Sequence, residues 1–167
     1  MPLNSTLSKT YQFFIFTVIF FLFPVNMPAQ EYHHHDVDEI HNELGTGVGI
    51  AFSSENRTVS PSFHFHATKG LSQILGIGIG YESILGDEPH HSFAVLLNYK
   101  PLELIDINVG PGILLPAGSE PLSLILNTEL AFTYHLNMGI HMGPGLDVGF
   151  SKHGLHAIAG IHIGIDL

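Results

Sequence analysis

The clearest structural signal in the sequence lies in residues 155–167, LHAIAGIHIGIDL. Apolar side chains occupy one parity of this segment: Ala157, Ala159, Ile161, Ile163, Ile165 and Leu167. The other parity carries polar residues and glycine: His156, Gly160, His162, Gly164 and Asp166. Successive side chains of a β-strand point to opposite faces, so the pattern predicts a strand with one apolar face and one face of histidine, glycine and aspartate.

The same alternation recurs throughout the chain upstream of this segment. It is found near residues 47–52, 63–66, 76–82, 92–100, 105–113, 124–135 and 139–150. Together with the last segment, these make eight predicted strands between Glu43 and Leu167. No helical period interrupts them, so the sequence predicts an all-β domain.

The composition of the polar face indicates which side of the sheet faces outward. A soluble barrel would place lysine, glutamate and threonine in water, whereas here the polar parity is rich in glycine and histidine and the chain has only 5 Lys+Arg. The interior of an eight-stranded barrel is just wide enough to be filled by side chains, so glycine fits on the inner face. The apolar face then requires lipid. We predict an eight-stranded antiparallel up-and-down transmembrane β-barrel with short turns.

Composition excludes several classes of protein. A length of 167 residues corresponds to one domain. With 15 Asp+Glu and a formal charge of −10, the chain lacks the basic surface that a nucleic-acid-binding protein needs. The absence of cysteine excludes disulfides, thiolate metal sites and cysteine nucleophiles. None of the common catalytic motifs occurs, so we expect no enzymatic activity.

The N-terminal residues indicate export. Lys9 precedes an apolar run, FFIFTVIFFLF at 13–23, which is shorter than the roughly 20 residues of a membrane-spanning helix. Pro24 ends this run, and Ala29 provides a cleavage position. We interpret 1–29 as a signal peptide, with an uncleaved anchor as the alternative. Residues 30–42, QEYHHHDVDEIHN, have no period that buries a face, and we interpret them as a flexible acidic, histidine-rich arm before the barrel at 43–167.

The signal peptide ending in Pro-Ala-Gln, the His-rich arm and the eight alternating segments together resemble small eight-stranded bacterial outer-membrane barrels of the OmpA/OmpX general type. The arm and the end of the signal peptide are similar to those of proteins from the Bacteroidetes lineage. The resemblance covers about three quarters of the chain and rests on pattern, with no diagnostic motif. It implies a barrel surrounded by outer-membrane lipid, with the N-terminal arm in the periplasm.

Histidine is the main source of candidate chemistry, with 13 residues in the chain. In the arm, the possible metal ligands are His33, His34, His35, Asp36, Asp38 and His41. On the inner parity, four histidines are expected toward the periplasmic half of the lumen: His66, His135, His141 and His162. Imidazole and carboxylate ligands suit Zn, Cu or another divalent transition metal. The alternative is that the inner rings simply fill the lumen and hydrogen-bond to Asp106, Glu129 and Asp166.

Three hypotheses for function follow from these patterns. The first is a structural or surface-interaction outer-membrane barrel with a filled, non-conducting lumen. The second is a metal-handling outer-membrane protein that uses the arm as a periplasmic chelator. The third is a soluble exported binder of apolar ligands, in the manner of lipocalins. Membrane fractionation and heat-modifiable migration on a gel separate the third hypothesis from the other two.

Overall fold

A computed structural model describes residues 40, 42–86, 89–116, 121–136 and 139–167. The predicted signal peptide, and the arm apart from residues 40 and 42, lie outside the described residues. The strands are β1 (Glu43–Ser53), β2 (Val59–Gly70), β3 (Leu75–Ile84), β4 (His90–Leu102), β5 (Ile105–Pro116), β6 (Ser123–Phe132), β7 (Tyr134–His135), β8 (Ile140–Ser151) and β9 (Gly154–Asp166). Within the described part of the chain, no helix is long and apolar enough to cross a membrane.

The strands form one closed antiparallel sheet. Each strand from β1 to β5 pairs with the next along the chain, β8 pairs with β7 and β9, and β9 pairs with β1. A further pairing between β6 and β8, from Ile125↔Ser151 to Ala131↔Gly145, completes the ring. Since β6 and β7 are two segments of one interrupted strand that spans the barrel, the architecture is the predicted eight-stranded up-and-down barrel.

The sixth strand of the barrel, made of β6 and β7, differs from the continuous strand predicted at 124–135. It is interrupted at Thr133, which separates β6 from β7. The backbone N–H of Thr133 donates to the Leu104 carbonyl at 3.0 Å, and its hydroxyl donates to the Glu103 carbonyl at 3.2 Å. Both bonds run to the turn between β4 and β5. On the other side, the pairing with β8 stops at Ala131↔Gly145 and resumes at Tyr134↔Met142, so the ladder with β8 is interrupted around Thr133.

The two faces of the sheet are those that the alternation predicts. Val48, Ile79 and Val95 point outward and are more than half exposed. Inward positions next to them carry small or polar side chains, such as Gly47 and Gly78. A few inward apolar residues, including Ile125 and Ile158, fill the space near one end of the barrel. The apolar surface of this barrel is therefore on the outside and its polar surface is on the inside.

The turns differ in length at the two ends of the barrel. At the end where β1 begins, the connections span residues 71–74, 103–104 and 136–139. At the other end they span 54–58, 85–89, 117–122 and 152–153. The last of these is as short as 103–104, so the connections at this end are not uniformly longer. Gly154, with φ of 122°, supplies the left-handed backbone that the two-residue turn requires.

Candidate functional site

The barrel interior is lined by acidic residues and histidines. Five carboxylates are buried: Glu43, Glu82, Asp106, Glu129 and Asp147. Lys100 is the only lysine or arginine among the described residues that forms an ion pair with any of them. Buried carboxylates need hydrogen-bond donors or cations, and here histidine side chains provide most of these contacts.

Glu43, the first residue of β1, is the centre of one cluster. Its Oε2 lies 2.6 Å from Lys100 Nζ, and its Oε1 lies 3.2 Å from His66 Nε2. The same Oε1 lies 3.3 Å from His141 Nε2 and 3.4 Å from His162 Nε2. One carboxylate therefore joins residues of β2, β4, β8 and β9, and only 1% of its surface is exposed.

Glu129 of β6 is the centre of a second cluster, which shares two histidines with the first. Its Oε1 lies 3.1 Å from His162 Nδ1 and 3.3 Å from His64 Nε2. Its Oε2 lies 3.4 Å from His66 Nδ1 and accepts a 3.1 Å hydrogen bond from Asn108 Nδ2. The rings of His66 and His162 thus lie between the two glutamates, with one nitrogen toward each.

Carboxylates and imidazoles continue to alternate beyond these two clusters. On one side, His64 Nδ1 lies 3.3 Å from Asp147 Oδ2. On the other side, His141 Nδ1 lies 3.5 Å from Asp166 Oδ2, and His135 Nε2 lies 3.8 Å from the same oxygen. His135 is the most exposed member of this series, with 39% of its side chain accessible. The series therefore runs from the middle of the lumen to the rim at which β1 begins.

Glycines on neighbouring strands make room for the imidazole rings. His66 lies opposite Gly45 and His64 lies opposite Gly47, and a Cβ on either glycine would overlap the ring. Gly47 also lies opposite His162 on the other side of β1. Next to these glycines of β1, the ring centroids of His66 and His162 are 5.2 Å apart and the two rings are nearly parallel. Glycine on the inner parity is thus what allows histidines from β2 and β9 to meet.

Toward the opposite end of the barrel, the interior holds a separate pair. His156 Nε2 lies 2.9 Å from Glu82 Oε1, and the His156 ring covers Gly149 on β8. Between this pair and the Glu129 cluster there is a cavity of about 40 Å³, lined by residues that include His64, Glu82 and Asp147. A cavity of that size holds a few water molecules at most.

The arrangement brings together three overlapping groups whose nitrogen and oxygen atoms are close enough to hold a metal ion. The groups are His64, His66, Glu129 and His162; Glu43, His141 and His162; and His135, His141 and Asp166. In each group the ligand atoms lie within 4.8 Å of one another. Since no sulfur is present, such a site would use imidazole and carboxylate ligands alone.

The sequence predicted four lumenal metal candidates, and the structure does not gather them into one set. His66 and His162 share a group, His141 joins His162 in the next, and His135 is grouped with His141 at the rim. The alternation places His135 on the inner face, yet it is exposed because it lies past the break at Thr133. The arm candidates His33, His34, His35, Asp36, Asp38 and His41 all lie outside the described residues.

Two central residues were missing from the predicted metal set. Glu43 was treated only as the boundary between arm and barrel, although it shares its parity with Gly45 and Gly47. His64 was placed on the inner face but was not selected as a ligand. The expected partnership of the inner rings with Glu129 and Asp166 is observed, whereas Asp106 pairs with Lys100 at 3.2 Å and accepts a bond from Asn98.

Solved structures with the same architecture are small membrane barrels. The N-terminal β-barrel domain of Pseudomonas aeruginosa OprF matches 77% of this chain and 100% of its own length, with a TM-score of 0.59 and 8% identity. Neisserial surface protein A matches 77% of this chain and 97% of its own, with a TM-score of 0.54 and 11% identity. A designed transmembrane β-barrel covers 78% and 99%, with a TM-score of 0.52 and 13% identity.

These likenesses concern the fold. The chain has the fold of the small eight-stranded outer-membrane barrels. No protein-family model and no curated protein matches the sequence. At 8–13% identity, the structures carry no residue-level information about the histidines and carboxylates of this lumen.

Proposed function

We propose that this protein is an integral outer-membrane barrel with a structural or surface-interaction role and a filled, non-conducting lumen. The single observation that carries the proposal is the row of exposed apolar side chains around the closed barrel. Among them, Leu124 is 79% exposed, Ile79 66% and Val48 63%. A continuous apolar exterior of this kind is stable in lipid and not in water.

The interior supports the non-conducting part of the proposal. Asn98 of β4 donates to Asp106 and Asn108 of the neighbouring strand β5, and all three side chains are buried in the lumen. Together with the His–Glu clusters they occupy the space through which solutes would have to pass. The same polar interior disfavours the lipocalin-like alternative, because a carrier of apolar ligands needs an apolar cavity.

The arrangement of the turns supports an orientation. Outer-membrane barrels have short periplasmic turns and longer extracellular loops. The shorter connections, 71–74 and 103–104, lie at the end where β1 begins, and 54–58, 85–89 and 117–122 lie at the other end. We therefore infer that residues 1–29 are removed as a signal peptide and that the arm of residues 30–42 lies in the periplasm. The longer loops would then provide the surface for any extracellular partner.

Membrane fractionation combined with gel migration tests the location. The protein should be recovered in the outer membrane, should resist carbonate extraction, and should migrate faster unboiled than boiled because the folded barrel is compact. Recovery in the soluble periplasmic fraction would refute the membrane proposal. Purified protein in a planar bilayer should then produce no single-channel conductance, and stable ohmic channels would refute the filled lumen.

A second candidate function is metal handling. It is favoured by the overlapping groups of histidine and carboxylate inside the barrel. In this proposal the arm residues His33, His34, His35, Asp36, Asp38 and His41 chelate Zn, Cu or another divalent ion in the periplasm. Imidazole and carboxylate are suitable ligands for these ions.

A further inference from the structure

We propose that the barrel lumen contains a structural site for a divalent transition-metal ion. Its ligands come from three strands that surround the lumen: His64 and His66 of β2, Glu129 of β6 and His162 of β9. The site is separate from the arm and goes beyond the membrane role proposed above. Zinc is the ion whose ligand preferences and geometry it fits most closely.

The distances from the Glu129 oxygens to the three histidine nitrogens are close to those between ligands of a tetrahedral ion. Zinc lies about 2.0–2.1 Å from nitrogen and oxygen ligands, which places the ligands roughly 3.3–3.4 Å from one another. From Glu129 Oε1, the distances to His162 Nδ1 and His64 Nε2 are 3.1 Å and 3.3 Å. From Glu129 Oε2 to His66 Nδ1 the distance is 3.4 Å. Each histidine nitrogen thus lies at about this distance from one of the two Glu129 oxygens, and the four side chains offer ligand atoms that all lie within 4.8 Å of one another.

Two of the histidine nitrogens proposed as ligands lack the hydrogen bond that a simple ion pair with Glu129 would include. His64 Nε2 and His66 Nδ1 are buried, and among the described residues neither has a hydrogen-bond partner. The Glu129 oxygens lie within 3.4 Å of them, but the ring nitrogens are not aligned to donate to those oxygens. A buried nitrogen that faces a carboxylate without donating to it is satisfied if both bind the same ion.

The remaining nitrogen of each ligand histidine lies near a carboxylate, and that of His66 is hydrogen-bonded to it. His64 Nδ1 lies 3.3 Å from Asp147, while His66 Nε2 and His162 Nε2 lie 3.2 Å and 3.4 Å from Glu43. Metal-binding histidines typically contact a carboxylate or carbonyl through their second nitrogen, which fixes the tautomer and the ring orientation. The 3.1 Å bond from Asn108 to Glu129 orients the fourth ligand in the same way. The lumen thus holds a full set of ligands and the outer contacts that support them.

Charge balance also calls for a cation at this position. Lys100 is the only lysine or arginine in the described residues that pairs with the buried carboxylates, and it contacts Glu43 and Asp106. Glu129 and Asp147 have histidines as their ion-pair partners. Neutral imidazoles would leave these two acids uncompensated in a buried environment, which is energetically costly. A divalent ion supplies the missing positive charge while keeping the imidazoles neutral.

The proposed site connects strands that do not pair in the sheet. β6 is hydrogen-bonded to β5 and β8, whereas His64 and His66 are on β2 and His162 is on β9. An ion bound by all four ligands therefore links three strands of the barrel that are not hydrogen-bonded to one another. Because every position is taken by a protein ligand, the site resembles closed structural zinc sites and not catalytic sites, which keep one position open. The partly exposed group of His135, His141 and Asp166 at the rim provides a route by which the ion enters.

The test uses full-length protein extracted from membranes in detergent, with His33, His34, His35 and His41 replaced by Gln so that the arm contributes no imidazole. We expect about one zinc per chain after dialysis, and a visible absorption spectrum of tetrahedral cobalt when Co²⁺ is substituted. In this background, His162→Gln should weaken zinc binding by at least about tenfold. The matched control is His156→Gln, which removes another buried lumenal histidine outside the three groups and should leave zinc binding unchanged.

The proposal is overturned if the protein binds no zinc, or if His162→Gln and His156→Gln bind it equally well. If His162→Gln fails to assemble, X-ray absorption of the zinc-loaded parent protein decides the question. It should report three imidazole nitrogens and one oxygen, and any other first shell refutes the ligand set. Imidazolium signals from the lumenal histidines at neutral pH, in protein that takes up no metal, would identify protonation as the source of charge balance. The location in the membrane is measured separately by fractionation, so failure of one proposal is distinguishable from failure of the other.

Discussion

Gly45 of β1 lies directly opposite His66 of β2, and the imidazole ring occupies the space in which a side chain on Gly45 would stand. The same relationship holds between Gly164 and His141, where a Cβ would overlap the ring. In a narrow barrel, one large ring on the inner face therefore requires a bare backbone on the adjacent strand. Glycine and histidine are abundant together for this steric reason.

Gly45→Ala should destabilise the folded barrel by about 1–3 kcal/mol, because the new methyl group displaces the His66 ring in a filled interior. Gly145→Ala is the matched control, since its Cβ would lie 3.7 Å from His162 Cβ, an ordinary contact distance. Urea unfolding in detergent, with the folded fraction read from gel migration, measures both. Equal stability of the two variants would show that the ring moves aside without cost.

Lys100→Met should destabilise the barrel by about 3 kcal/mol. The substitution keeps most of the side-chain volume but removes the ammonium group that contacts Glu43 at 2.6 Å and Asp106 at 3.2 Å. Two buried carboxylates would then lose their lysine partner. Lys69→Met, at an exposed position near the end of β2, is the control and should change the stability by less than about 0.5 kcal/mol. The same unfolding assay applies. An unchanged free energy of unfolding for Lys100→Met would indicate that the histidines alone neutralise the acids.

Ile161→Lys should reduce recovery of folded protein from the outer membrane. Ile161 faces outward near the middle of β9, and a lysine at the bilayer midplane costs about 2–4 kcal/mol. Leu71→Lys, in the exposed turn between β2 and β3, should be tolerated because the penalty falls to about 0–1 kcal/mol near the interface. Quantitative fractionation compares the two. If Ile161→Lys assembles as well as Leu71→Lys, the outer face is not in contact with lipid.

The strands and their faces were predictable because the information is local. A period of two identifies a strand, and the residue types on each parity identify its outer face. Val48 and Ile79 were placed outward and Gly47 and Gly78 inward from this alternation alone, and the structure agrees. The interruption at Thr133 was not predictable in this way, because its partners Glu103 and Leu104 lie in a different turn of the barrel.

The carboxylate–histidine clusters were only partly predictable. Glu43 contacts His66, 23 residues away, Lys100, 57 residues away, and His141, 98 residues away. These contacts form only when the sheet closes, and closure is set by the stagger between strands, which a parity pattern does not specify. Parity did identify which histidines face the lumen. The up-and-down order of the strands placed four of them in the periplasmic half of the lumen, but it did not give the exact heights that decide which rings meet at Glu129 and which at Asp166.

The arm hypothesis leads to a prediction about stoichiometry. The segment at 33–41 concentrates four histidines with Asp36 and Asp38, so it should bind its own Cu²⁺ or Zn²⁺ ion in addition to any ion in the lumen. Full-length protein should therefore bind about one metal ion more than the variant in which the four arm histidines are replaced by Gln. Isothermal titration calorimetry in detergent measures this difference. His153→Gln, a substitution in the turn at 152–153, should leave the stoichiometry unchanged.

Combining the arm substitutions with His162→Gln separates the two sites. If the sites are independent, each change removes its own ion and the combined protein loses both. Loss of the arm ion should cost little stability, because nothing in the barrel requires it, whereas loss of the lumenal ion should lower the melting temperature, since an ion that binds only the folded state stabilises it. If the arm variant and the parent bind metal with equal stoichiometry and affinity, the arm is a linker and the lumen is the remaining candidate.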